Sequence, residues 1–114
     1  MNCSKNDVVL LPIPFTDLTS QKVRPAIVVG RNGLDLFLVP ISSVLSNTDF
    51  PLKEWRHAGL NVPCGVKAQI ATVEERLVVK IVGTLNLADS RTLEERLRHL
   101  LPESLTAHGI FGPF

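Results

Sequence analysis

Asn32-Gly33 constrains this chain more than any other feature. The dipeptide stands between two apolar runs, PAIVVGR and LDLFLVPI. A two-residue connection between antiparallel strands needs backbone of positive φ, which asparagine and glycine accept at least cost. An antiparallel hairpin is therefore predicted, with strands over residues 25–31 and 34–41. Any fold open to the chain must be built around that hairpin.

The surrounding segments extend it. Residues 7–14 form an apolar run of strand length, followed by the polar segment FTDLTSQKVR, which is longer than a tight turn. Residues 66–73 alternate, with Val66, Ala68, Ile70 and Thr72 on one side and Lys67, Gln69, Ala71 and Val73 on the other. Short strands are also predicted at 52–55 and 77–85, a turn or short helix at 42–51 and a glycine-containing loop at 57–65. A helix then closes the chain. Asp89 or Ser90 is placed to cap it, Thr92 and Glu95 have capping-box spacing, and Leu93, Leu97, Leu100 and Leu101 make an apolar stripe that Pro102 ends. Pro12, Pro14 and Pro40 lie in strand-like runs and imply edges or bulges. The expected architecture is mostly β: a small, strongly curved antiparallel sheet forming a β-barrel, with a C-terminal α-helix, α+β by content.

At 114 residues the chain is long enough for one domain, read as spanning 1–114 with a core over 6–101 and a tail over 102–114. Hydrophobic residues make up 45% of it, so a packed core is favoured over disorder. No apolar run approaches the ~20 residues of a spanning helix, so no membrane association is expected. The opening MNCSKNDVVLLPIPF is interrupted by proline and lacks the pattern of a signal peptide. Cys3 and Cys64 form no CxxC and are expected as free thiols in a reducing, cytoplasmic compartment. His57, His99 and His108 lack ligand spacing relative to them, so no metal and no cofactor are expected. A net charge of only +1 means that any nucleic-acid site must rest on local clustering.

The string DVVLLPIPFTDLTSQKVRPAIVV resembles the opening of the MazF/PemK toxins, where a strand runs into an F-T-containing loop and then into Arg-Pro and a second apolar strand. VPISSV is similar to that family's third-strand end, QIATV to its Gln-Ile segment, and IVGTLNLADSRTLEERLRHLL to its closing strand and helix. The order and spacing of the pieces, over roughly residues 6–101, carry the resemblance. It implies an SH3-like dimeric barrel, metal-free cleavage of single-stranded RNA at short motifs by attack of the 2′-hydroxyl to give a cyclic phosphate, and a cognate antitoxin. The compartment it implies is the cytoplasm.

The resemblance also assigns residues. Arg24, the arginine of the Arg-Pro pair, takes the catalytic role, because a guanidinium offers paired donors to a charged phosphate and stays ionised at neutral pH. Pro25 biases Arg24 toward extended backbone. Ser42 falls at the family's catalytic Thr or Ser and can donate to a phosphate oxygen; the adjacent Ser43 could hold that place instead. The ordinary alternative for Ser42 is a turn serine bonded to local backbone. Gln69 matches a residue that contacts RNA, and an amide suits an unstacked base edge. Thr16 and Lys22, in the first loop, complete the expected RNA contacts. The chain departs from the family at Ala71, where many members carry an arginine two positions after the glutamine. Lys67, two positions before it, is expected to compensate in part. The family's leading Gly-Asp is Asn6-Asp7 here.

Two other readings compete. The same fold supports CcdB-like toxins that inhibit DNA gyrase by binding protein rather than cutting RNA. A plain SH3-like interaction module would advertise an aromatic groove, yet the chain has no tyrosine, one tryptophan and five phenylalanines.

Overall fold

The structure, a computed structural model, describes residues 2–12 and 22–100. Among these described residues seven strands and one α-helix follow in order: β1 Asp7–Pro12, β2 Val23–Asn32, β3 Asp35–Ser42, β4 Phe50–Pro51, β5 Gly65–Val66, β6 Ala71–Glu74, β7 Lys80–Thr84 and α1 Leu87–Leu100. Single 3-10 turns occupy Leu45–Asn47 and Glu75–Leu77. The pairings among these strands are all antiparallel and the sheet runs β4-β5-β3-β2-β1-β7, with β6 farther along the same edge of β3 that β5 occupies. The expected mostly-β fold with a C-terminal helix is present. The sheet is open rather than closed into a barrel.

The hairpin forms one residue later than its sequence suggests. Asn32 pairs with Asp35, so Gly33 and Leu34 make the turn, and Gly33 supplies the positive φ of 62°. Glycine at the first central position with an ordinary second residue is the II′ pattern, which matches strand twist as well as Asn-Gly does. A bulge between Val28 and Gly30 then shifts the register by one.

Both faces of β2 are covered, which is why residues 26–30 are buried without alternation. Val8, Ile27, Val29, Val39 and Ile41 pack on one face with Leu93 and Leu97 of α1. Val9, Leu11, Ala26, Val28, Leu36 and Leu38 pack on the other with Val78. The helical stripe is narrower than expected. Leu100 is exposed, Leu101 lies outside the described residues, and the buried positions on α1 are Asp89, Leu93 and Leu97. The cap also differs. The Asn86 carboxamide accepts the Asp89 N–H at 2.9 Å, so neither Asp89 nor Ser90 begins the helix. Asp89 instead turns its carboxylate to the Lys53 and Glu54 N–H groups, at 3.0 and 2.9 Å. Burial of this carboxylate is affordable because each oxygen takes a backbone donor. It anchors residues 53–59 as turns where a strand was expected over 52–55.

The 66–73 strand is broken in two. β5 pairs with β3 at Ile41–Ser42 and β6 at residues 35–38. Between them stands Pro40, which has no N–H to offer the ladder. Its carbonyl takes the Lys67 N–H at 3.0 Å, while the Ala68 N–H goes to the Asp49 carboxylate at 2.7 Å and the Gln69 N–H to the Lys67 carbonyl at 2.8 Å. With their donors engaged elsewhere, residues 67–70 leave the sheet.

Asn6 adopts φ 74°, a conformation asparagine tolerates better than most residues. Its N–H reaches the Val28 carbonyl at 2.8 Å and its carbonyl takes the Leu85 N–H at 2.9 Å, which ties the chain start to two strands. A second tie joins Arg31 to Glu75. The guanidinium meets both carboxylate oxygens and also donates to the Cys3 carbonyl at 2.9 Å, and Glu75 accepts the Cys3 N–H at 2.9 Å.

The Arg31 contact, followed by the Cys3 N–H, pulls the Glu75 carboxyl down from about 4.5 to about 2. A depressed folded value means the stabilisation is complete above pH ~4.5 and is lost as the pH falls toward 2. Glu75→Gln is expected to lower stability at pH 7 by about 2 kcal/mol, the scale of charge-assisted hydrogen bonds. In paired melts the gap from wild type should close between pH 4.5 and 2; a gap that persists to pH 2 refutes the assignment.

Candidate RNA-binding site

The site expected from sequence can be built from strand register alone. Across β2 and β3 the register pairs Ala26 with Pro40. Continued by two residues, it sets Arg24 opposite Ser42, where β2 begins and β3 ends. On the other side of β2, Arg24 pairs with Leu11 of β1; on the other side of β3, Ser42 pairs with Gly65 of β5. Residues directly opposite in an antiparallel sheet share a face. Arg24 and Ser42 thus lie on the face of Ala26, Val28, Leu36 and Leu38, just beyond the edge of that apolar core. Arg24 is exposed and Ser42 half-buried.

The Ser42 hydroxyl oxygen accepts the Val44 N–H at 3.0 Å. That is the local turn contact weighed as the ordinary alternative, and it orients the hydroxyl while leaving its proton for another acceptor. Ser43 is exposed and lies on the next position, outside the strand.

Lys67 and Gln69 reach the same end of the sheet by a different route from the one predicted. Strand alternation cannot place them, because residues 67–70 are not strand. Lys67 is placed by its N–H on Pro40, two residues before Ser42, and the contact with the Lys67 carbonyl brings Gln69 beside it. Ala71 pairs with Leu38, the next inward position on that edge of β3 facing the same way as Pro40. Lys67 is therefore a near neighbour of Ala71 on that edge. Lys22 is exposed immediately before β2. Thr16 lies outside the described residues, as does most of its loop.

Sequence reasoning missed Asp49, whose carboxylate holds the Ala68 N–H and so shapes the segment between Lys67 and Gln69. No residue pattern signals this contact across 19 positions. Exposed apolar side chains adjoin the site residues: Val23 next to Arg24, Val44 and Leu45 after Ser43, and Ile70 after Gln69. Among the described residues no group of His, Cys, Asp or Glu is arranged to hold a metal ion, and no helix is long and apolar enough to cross a membrane. Cys3 and Cys64 are free thiols buried in the two cores, and burial raises both above the ordinary cysteine range.

Comparison with known proteins adds three findings. Residues 4–101 match the family described as PemK-like, MazF-like toxin of type II toxin-antitoxin system. No curated protein matches the chain. Among solved structures, the Mycobacterium tuberculosis toxin MazF-mt6 superposes with a TM-score of 0.65 at 16% identity, covering 82% of this chain and 93% of its own. A mycobacterial endoribonuclease in complex with its cognate antitoxin superposes with a TM-score of 0.61 at 14% identity, covering 89% and 98%. At such identities the two structures speak for the fold.

Proposed function

The chain belongs to the PemK-like, MazF-like toxins of type II toxin-antitoxin systems, and on that premise we propose that it is an endoribonuclease that cleaves single-stranded RNA at a short motif without a metal ion. The observation that carries this reading is the β2–β3 register, paired as far as Ala26 and Pro40, whose continuation by two residues brings Arg24 opposite Ser42, with Lys67 and Gln69 on the adjoining edge.

In the proposed reaction the RNA supplies its own nucleophile. The 2′-oxygen forms a bond to the neighbouring phosphorus, the bond to the 5′-oxygen breaks, and a 2′,3′-cyclic phosphate and a 5′-hydroxyl end result. The proton lost by the first oxygen and the one gained by the second exchange with solvent water. Charge gathers on the non-bridging phosphate oxygens in the transition state, and preorganised donors stabilise it there. Arg24 supplies paired N–H groups and a full positive charge. Ser42 donates its hydroxyl proton from the opposite strand, with Ser43 as the other candidate hydroxyl. Lys67 adds charge along the phosphate path in place of the arginine missing at 71, and Gln69 offers amide donor and acceptor to a base edge. Lys22 and Thr16 extend the track through the first loop.

The apolar side chains bordering the site suit cover by a second copy of the chain, so the active form in this reading is a homodimer, which sedimentation at the mass of two chains would register. A cognate antitoxin with an acidic segment would inhibit by filling the phosphate path. The proposed compartment is the cytoplasm. The gyrase-binding alternative gains no support from the family match.

The test is incubation of the purified protein with a long mixed-sequence RNA in EDTA, followed by mapping of the ends. Cuts at one short motif with cyclic phosphate ends are expected. Folded protein that leaves the RNA intact sinks the reading.

A further inference from the structure

A second polar recess adjoins the site and has no part in the chemistry described so far. It is open, about 490 Å³ in volume, and lies where the last two turns of α1 face the segment around Ala68. Asp49, Glu95, Arg96 and His99 line it. The recess lies on the α1 face of the sheet, across from Arg24 and Ser42, and meets the proposed RNA contacts at the sheet edge, where Ala68, between Lys67 and Gln69, is part of its wall.

Its charge pattern identifies what it can hold. Two carboxylates disfavour a phosphate, so the recess does not continue the backbone track. A lining with acceptors and donors on different elements instead suits a nucleobase, which carries both. Asp49 has one oxygen committed to the Ala68 N–H. The Glu95 carboxylate has no side-chain hydrogen bond or ion pair among the described residues, so both its oxygens can accept. Arg96 rests over the Phe50 ring, with its guanidinium carbon 5.9 Å from the centroid, which restrains the side chain without engaging its N–H groups.

We propose that this recess reads a guanine base of the RNA where the strand passes the sheet edge at Lys67 and Gln69, with Glu95 and Arg96 as specificity-determining residues; this rests on the ribonuclease reading above. Guanine is the base whose Watson–Crick edge presents two adjacent donors, the ring N1–H and the exocyclic amine, which a carboxylate accepts as a pair. Its O6 and N7 are acceptors for a guanidinium. The His99 ring lies one turn beyond Glu95 and borders the same space, where it can stack on the base.

The test uses short 2′-O-methyl oligouridines, which lack the attacking hydroxyl, with a single guanosine moved along the chain. Binding is read by fluorescence anisotropy with the full-length protein. Guanosine at one position is expected to tighten binding about tenfold over uridine alone, and Glu95→Gln to remove that gain while leaving oligouridine binding unchanged. Glu95 is exposed on the helix, so the variant is expected to fold. Binding without a guanosine preference, or a preference that survives Glu95→Gln, overturns the proposal and leaves the ribonuclease reading standing. No binding of any oligonucleotide, together with no cutting of the long RNA, removes both.

Discussion

Arg24→Ala is expected to abolish detectable RNA cleavage, a loss of at least about a hundredfold, with the fold unchanged. The magnitude follows from the loss of a preorganised charged donor aimed at transition-state charge, which costs about 10²–10³ in rate. The fold should tolerate the change because Arg24 is exposed at the start of β2 and its backbone, rather than its side chain, pairs with Leu11. Arg24→Lys separates two parts of the role. Lysine keeps the charge and loses the planar paired donors, so it should restore RNA affinity more than rate. The measurement is single-turnover cleavage with circular dichroism as the folding control. Cleavage by Arg24→Ala within a few-fold of wild type would remove Arg24 from the chemistry. Lys67→Ala is the companion variant. It should weaken RNA binding and its salt dependence with little change in the single-turnover rate at saturation. If neither affinity nor cutting changes, Lys67 has no part in holding the RNA.

Which serine the proposed reaction would use beside Arg24 depends on a detail that lies beyond pattern reading. From the turn outward, the hairpin register pairs Asn32 with Asp35, Arg31 with Leu36 and Gly30 with Phe37. An unbroken ladder in that register would carry Arg24 opposite Ser43. The bulge between Val28 and Gly30 moves the pairing by one, so that Ala26 meets Pro40 and the same register, continued by two residues, leads Arg24 to Ser42. The two serines are equivalent in sequence; the bulge separates them. The hairpin itself was legible because its apolar runs and glycine turn act locally. The break over residues 67–70 was not, because its causes are a proline on β3 and a carboxylate at Asp49. Asp89 follows the same rule. Its place in the helix made it a plausible cap, yet the donors it satisfies lie some 35 positions earlier in the chain, in a turn that only the folded structure brings near.

Gly59→Ala is expected to be among the most destabilising single changes, at about 3–5 kcal/mol, and Gly33→Ala to cost only about 1 kcal/mol. Both glycines have positive φ, 86° and 62°, so both alanines carry the conformational cost. Only one meets an obstacle. A Cβ on Gly33 has nothing within 4 Å, whereas a Cβ on Gly59 would lie 2.1 Å from the Val82 carbonyl oxygen on β7. That neighbour is backbone within the strand pairing β1, so it cannot swing aside. Gly59 ends a short helical turn in a Schellman arrangement: its N–H reaches the Arg56 carbonyl at 3.0 Å, and the Leu60 N–H reaches the Trp55 carbonyl at 3.1 Å. Leu60 and Trp55 both pack against the core beneath α1, and Asp89 grips the other end of the same turn. Lifting the turn from β7 therefore uncovers apolar surface and strains a buried carboxylate together. Urea unfolding of the two variants beside wild type measures the difference. Equal losses would mean that the turn does not depend on its close approach to β7, and that backbone conformation, rather than packing, sets the cost at Gly59.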